Sequence, residues 1–262
     1  MDILKAKDTI VEFIRTRSNE AGVDGAVVGI SGGIDSALVA FLAVEALGKD
    51  HVLGIHLPEL NVTPSEDVLD ATEVANELGI EFKTINIGEL MESFMNVIPD
   101  SVQAGAHVNG NLKARMRMSI LYYYANLRGN IVLGTGNKTE ILIGYFTKYG
   151  DGGVDIEPIG DLYKTNVREM ARMVCVPEGI LAKAPSAGLW EGQTDEDDLG
   201  MSYDMIDRIL QMLLAGEDKD FVQQALGVSA SQIDSLLWRV NTNAHKRIAP
   251  PIADLDEVRK VD

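Results

Sequence analysis

The stretch GAVVGISGGIDSALVAFLAVEALG, residues 25–48, leaves the chain few architectures. Its first six residues are an apolar run that reads as a buried strand. The Ala- and Leu-rich run closed by Gly48 reads as a buried helix over about 34–47. A strand, a glycine turn and a helix N-terminus in direct succession leave unpaired backbone N–H groups pointing at one spot, a place for an anion. Three more strand candidates follow at 51–57, 81–87 and 130–134. Helical patterns alternate with them over 65–78, over a long stretch from 89 to 127 broken near Gly105–Gly110, and over 138–144. Such alternation predicts an α/β fold, a parallel sheet covered by helices on both faces. Ligands in such sheets sit at the carboxyl ends of the strands, where Gly32–Ser36 and Thr135–Glu140 both fall.

Outside this core the pattern changes. Residues 2–17 read as an amphipathic helix with Ile3, Leu4, Ile10, Val11 and Ile14 on one face. Residues 150–200 are punctuated by Gly and Pro and read as ordered loops with short helices. Residues 200–247 read as helical again, with SASQIDSLLWRV starting after a serine cap. No repeat and no low-complexity tract appears, so 1–262 reads as a single domain.

The bulk properties exclude several classes. A net charge of −17 argues against a nucleic-acid partner, which calls for a basic face. No apolar stretch approaches the roughly 18 residues of a membrane helix, which predicts no membrane partner. The N-terminus lacks a signal-peptide pattern, and one cysteine suits a reducing compartment, so a cytoplasmic setting is expected. That cysteine, Cys175, lies among apolar residues without a histidine partner and reads as a buried small hydrophobe rather than a nucleophile.

The glycine turn is not a Walker A loop, because no lysine follows its glycines, and GTGNKT (134–139) lacks the third glycine of a dinucleotide fingerprint. What remains is S-G-G-x-D-S. Its glycines let backbone N–H groups close on phosphate oxygens, and Ser31 and Ser36 add hydroxyls. Phosphate repels Asp35 unless a cation lies between, which suggests Mg²⁺. Glu140, just past a strand end, supplies a second carboxylate; its plain alternative is a first-turn helix charge. Asn111 and Arg115 share a helical face, where Arg115 suits a carboxylate or phosphate.

The hexapeptide resembles the pyrophosphate-binding loop of the ATP pyrophosphatase superfamily. NLKARMRM (111–118), GTGNKTE (134–140), GYFTKYGDGGVDIEPIGDLYKT (144–165), KAPSAGLWEGQTDEDDLG (183–200) and HKR (245–247), in this order, resemble the ammonia-dependent NAD synthetases over nearly the whole chain. The resemblance implies an adenine nucleotide alpha hydrolase-like, Rossmann-like three-layer sandwich. It implies amidation of deamido-NAD⁺ with ammonia and ATP, through an adenylate, to NAD⁺, AMP and pyrophosphate. By resemblance Gly29, Ile30, Ser31, Gly32, Gly33, Ile34, Asp35, Ser36, Thr135, Lys164 and Ser186 contact ATP, with Asp35 and Lys164 catalytic. Arg115, Lys148, Asp155, His245 and Lys246 contact deamido-NAD⁺, and Asp35 and Glu140 hold Mg²⁺. Ser186 stands where the family often has threonine, which keeps the hydroxyl. The resemblance also implies a homodimer with the deamido-NAD⁺ site at its interface, and the first helix's stripe suits either that interface or its own sheet. The glutamine-dependent relatives carry a large amidotransferase domain with a cysteine nucleophile, for which this chain is too short. A GMP synthetase ATPase subunit shares the loop but not the 145–200 motifs; a tRNA thiolation ligase brings paired cysteines and a basic surface. An ATP-sensing regulator without turnover is the rival from another class. The loop 145–155 suits closing over a nucleotide, and the acidic 193–200 stretch is expected to order near the site without an assigned role.

Overall fold

A computed structural model of the chain describes residues 1–60, 62–99, 104–190 and 192–255. Four parallel strands, β1 (Ala26–Gly29), β2 (Val52–His56), β3 (Glu81–Thr84) and β4 (Ile131–Leu133), form one sheet in the order β3-β2-β1-β4. The chain runs from β1 through β2 to β3 on one side and returns to set β4 on the other, so the order switches between β1 and β4 and a crevice opens at their carboxyl ends, where the glycine turn lies.

The pleat sorts the sheet's side chains between two cores. Ala26, Val28 and Val52 face α1 (Ile3–Glu20), α2 (Ile34–Leu47), α3 (Ser65–Leu78) and a later helix, α7 (Lys164–Met173). Val27, Leu53 and Val132 face the opposite way, onto α5 (Ala106–Arg128). That is the three-layer arrangement the alternation predicts. α2 is buried on nearly every side, from Ile34 and Ala37 to Ala43 and Ala46, which its lack of charge over 37–44 permits. α1 starts at Asp2, whose carboxylate accepts from Lys5 N. Its Ile3, Val11 and Ile14 pack into its own core, so the stripe belongs to the fold; Leu4 is a correction, being 59% exposed.

The break in the long helical stretch borders Gly105, the N-cap of α5, but does not reach Gly110. α4 (Gly88–Val97) ends before them, and Gly110 sits inside α5, where its missing side chain admits Leu189. The punctuated segment holds a longer helix than expected, the ten-residue α7, besides α8 (Glu178–Ala182) and α9 (Asp195–Leu199). A third core joins α6 (Lys138–Ile143), α10 (Tyr203–Leu214), α11 (Lys219–Leu226) and α12 (Ala230–Thr242), the last starting at the predicted cap Ser229. Cys175 is a second correction: it is exposed, with φ +64°. It closes α7, where Val176 N donates to Ala171 O and Cys175 N to Arg172 O, so it takes the left-handed position rather than a core one.

Candidate active site

A cavity of about 830 Å³ opens at the carboxyl ends of β1, β2 and β4. The turn after β1 forms its floor. Gly32 has φ +90°, and a Cβ there would lie 2.5 Å from the Asp67 carbonyl, so only glycine fits. The turn curls on its own hydroxyls: Ser31 N donates to Ser36 Oγ at 3.1 Å, and Gly33 N to Ser31 Oγ at 3.2 Å. No side chain caps the N-terminus of α2. Its first N–H groups face the cavity with the helix dipole behind them, which is the geometry an anion needs. Lys183, just past α8, pairs with Asp67 at 2.7 Å and also with Asp70, both on α3, the helix whose Asp67 carbonyl packs on Gly32.

Beside the turn stands a buried charge cluster. Lys164, the first residue of α7, is 2% exposed; its Nζ lies 2.5 Å from Asp35 Oδ2 and 3.1 Å from Glu140 Oε1. Asp195 and Tyr203 close the cluster, the Tyr203 hydroxyl lying 3.0 Å from Asp195 and 3.3 Å from Glu140. The Tyr203 ring sits 4.9 Å from Nζ. Burial alone pulls the Lys164 ammonium toward neutrality, but Asp35 and Glu140 outweigh it and hold the group charged. Burial raises Glu140 to about 7, against the pull of Lys164. Burial also raises Asp195. One ammonium thus answers three carboxylates.

Glu140 does both things its position allows. As third residue of α6 it completes a capping box: Asn137 Oδ1 accepts from Glu140 N, and Glu140 Oε2 accepts from Asn137 N. Its other oxygen reaches Lys164. Asn137 Nδ2 in turn donates to Asp35 Oδ1 at 2.9 Å, so the cap of α6 also orients the aspartate. Asp35 and Glu140 converge from two elements on one point that holds a cation. Hard carboxylate oxygens of that number suit Mg²⁺, which completes its shell with phosphates and waters. The donor set therefore fits the metal, with the Lys164 ammonium standing between the two carboxylates in this structure.

The remaining expected residues divide. Every expected ATP residue except Gly32 lines the cavity, including Thr135 and Ser186, as do Arg115, Lys148, His245 and Lys246. Ser186 Oγ donates to Gln193 O, Arg115 to Lys148 O, and Lys148 Nζ to His245 O, so these groups are held against one another. Lys246 Nζ donates to the Gly144 and Phe146 carbonyls, which fixes the start of the 145–155 loop. Asp155 does not line the cavity: it accepts from Tyr122 Oη at 3.0 Å and Val132 N at 2.7 Å, tying the loop to α5 and β4. Internal bonds such as Thr147 N to Asp151 hold that loop in a compact turn. Asn137 and Tyr203 lie outside the expected set, while Asp195 comes from the acidic 193–200 stretch expected near the site. The N-x-x-E spacing at 137–140 carried a signal for the first, and a Tyr and an Asp on the apolar face of SYDMIDRIL carried one for α10.

The NAD synthase family model matches residues 6–250. The chain belongs to the NAD synthase family. This family member is 63% identical over 259 residues to an NH(3)-dependent NAD(+) synthetase of Methanococcoides burtonii, covering 99% of this chain and 98% of that one. It is 54% identical to the enzyme so described in Methanosarcina mazei, covering 97% and 100%. Among solved structures, the NMN synthetase of Francisella tularensis superposes with TM-score 0.85 at 37% identity, covering 97% of this chain and 99% of that one. The NH3-dependent NAD synthetase of Campylobacter jejuni, in complex with nitrate, superposes with TM-score 0.82 at 32% identity, covering 97% and 100%. The family's Rossmann-like α/β fold is the fold seen here.

Proposed function

We propose that this chain, as one domain spanning 1–262, makes NAD⁺ from deamido-NAD⁺, ammonia and ATP. The observation that carries the reading is the Asp35–Lys164–Glu140 cluster beside an uncapped helix N-terminus, in a chain so similar over its full length to the NH(3)-dependent synthetases. The turn at Ser31–Ser36 takes the β and γ phosphates of ATP on its N–H groups. Thr135 and Ser186 contact the nucleotide, and Lys164 turns its ammonium to the phosphates. Arg115, Lys148, His245 and Lys246 hold deamido-NAD⁺ on the far wall.

The nicotinate carboxylate oxygen attacks the α-phosphorus, the α–β bridging bond breaks, and pyrophosphate leaves with its electrons. Ammonia then attacks the activated acyl carbon, loses a proton, and AMP leaves. No protein nucleophile takes part, so alignment and charge neutralisation supply the rate. Asp35 and Glu140 hold Mg²⁺, which when bound neutralises phosphate charge. Free ammonia as the nitrogen source rests on the likeness to the NH(3)-dependent synthetases, which this chain covers over nearly their whole length. Asp155 acts through the fold, anchoring the loop that carries Lys148.

We also propose a homodimer. The apolar side chains that support it lie on α4 and α5, where Val97, Tyr123 and Leu127 are exposed. Among the described residues no helix is long and apolar enough to cross a membrane. A cytoplasmic setting agrees with a thiol left exposed.

The likeness to the NMN synthetase favours one second reading, the same amidation on nicotinic acid mononucleotide. The test is product formation from each acid with ATP, Mg²⁺ and either ammonium or glutamine. NAD⁺ and AMP from deamido-NAD⁺ with ammonium alone supports the proposal. Preference for the mononucleotide moves the assignment to the second reading, and turnover only with glutamine overturns the nitrogen source. In the same assay Asp35→Ala is expected to lower turnover at least about 100-fold, the scale of a lost transition-state charge partner, with circular dichroism unchanged.

A further inference from the structure

α7 begins without a cap of its own: Tyr163, which precedes it, makes no side-chain cap. Yet its first residue is Lys164. The first N–H groups of a helix have no partner within the helix, and here two are met from other elements. Lys164 N donates to Thr139 Oγ1 at 3.0 Å. Thr165 N donates to Asp207 Oδ2 at 2.9 Å. Thr139 Oγ1 donates in turn to Asp207 Oδ1 at 2.5 Å. One carboxylate on α10 therefore caps α7 from outside, half directly and half through a hydroxyl on α6.

These groups belong to the interior. Thr139 is 0% exposed and Asp207 1%, and neither lines the cavity. Their neighbours in sequence do line it. Thr139 precedes Glu140, and Asp207 holds the turn that starts with Lys164. Tyr203, one turn before Asp207 on α10, touches the same Glu140 and Lys164 from the other side. Three helices, α6, α7 and α10, thus meet at one hydrogen-bonded point directly behind the charge cluster.

We propose that Asp207 and Thr139 are positioning residues that fix Lys164 and Glu140 relative to each other, and so set where the triphosphate and its cation lie. The inference rests on the assignment of Lys164 to the phosphates. Neither residue touches substrate. Their effect comes from registering the first turns of α6 and α7, and a misplacement of about 1 Å at a reacting centre costs on the order of 100-fold in rate.

The hydroxyl separates this role from packing. Thr139→Val keeps the branched shape and loses the hydrogen bonds; Thr139→Ser keeps the hydrogen bonds and loses a methyl. The experiment measures kcat and KM for ATP in the full chain carrying Thr139→Val, Thr139→Ser, Asp207→Asn, Lys164→Met and the double change Thr139→Val/Lys164→Met. Circular dichroism checks folding at the assay temperature. Thr139→Val and Asp207→Asn are expected to lose at least tenfold in kcat at saturating ATP. Thr139→Ser is expected to stay within threefold of the unmodified chain. Thr139→Val is expected to cost less in the Lys164→Met background than in the unmodified chain, because part of the lost positioning acts through that lysine and the rest through Glu140. If Asp207→Asn does not fold, the two substitutions at Thr139 decide alone. A Thr139→Val chain within twofold of normal kcat overturns the proposal. So does equal loss in Thr139→Val and Thr139→Ser, which marks packing. Normal turnover in Lys164→Met instead overturns the catalytic assignment beneath it.

Discussion

Lys164 carries two relations that the sequence could not join, because its partners Asp35 and Glu140 lie 129 and 24 positions away in the chain. A buried ammonium between carboxylates occupies the place a divalent cation would take, and removing one partner of such a group leaves the others uncompensated. Lys164→Met is therefore expected to bind Mn²⁺ without nucleotide at least about tenfold more tightly than the unmodified chain, a difference of roughly 1.4 kcal/mol. Titration followed by electron paramagnetic resonance reads this directly, and equal affinities refute it. Glu157 makes a pH prediction. Its carboxyl accepts from Gly136 N, and burial raises it to about 8, with Asp151 and Glu140 adding to the shift. The folded value lies above the ordinary 4.5. Its contribution to stability is thus complete below pH ~4.5 and is lost as pH rises through about 8. Glu157→Gln keeps an acceptor for Gly136 and removes that slope. Melting curves at pH 5 and pH 9 are expected to show the variant gaining on the unmodified chain at the higher pH, by a few kcal/mol at most. A constant difference between the two pH values excludes it.

At the scale of elements, helix ends carried more information than helix middles. The spans 34–47 and 65–78 coincide with α2 and α3 because glycines at 48 and 79 stop them. The cap Ser229 was equally visible, because the serine–glutamine spacing of its capping box is local. α7 runs longer than the short helices expected there, with an N-terminal cap that comes from α10 and a C-terminal stop that is a cysteine where glycine is usual. That stop is testable. Cys175 holds φ +64° with its side chain exposed, a conformation that costs a residue with a Cβ about 1–2 kcal/mol. Cys175→Gly is expected to stabilise the chain by about 1 kcal/mol, or ~2–4 °C in Tm. No gain in calorimetry would show that the turn adapts to its cysteine.

At the scale of the whole molecule one crevice has the glycine turn at its floor and α5, the 145–155 loop and residues 245–246 along its far wall. α5 links this crevice to the surface, since Arg115 lines the cavity while Tyr123 and Leu127 lie exposed on the same helix. If that surface forms the dimer, charge in it must dissociate the pair. Leu127→Glu is expected to convert a dimer to a monomer in light scattering and to weaken deamido-NAD⁺ more than ATP, read as a KM at least about threefold higher for the former. A monomer before substitution, or a dimer after it, rejects α5 as the interface.

Short-range rules were enough for the alternation of strands and helices, the anion-binding turn and the ordered motifs, because period, glycine conformation and helix dipoles act over a few residues. They brought Asp35 and Glu140 to one end of the sheet, and joined Lys164 to them only through resemblance. Tertiary structure decided what those groups do to one another: that Lys164 lies between the two carboxylates, that Asn137 orients Asp35, and that Asp155 and Lys246 bond to the backbone. It also decided that the acidic 193–200 stretch sends Asp195 inward to Tyr203. Burial is the physical reason. The strength of a charge or hydrogen bond depends on the solvent removed around it, and that removal is set by helices far apart in sequence.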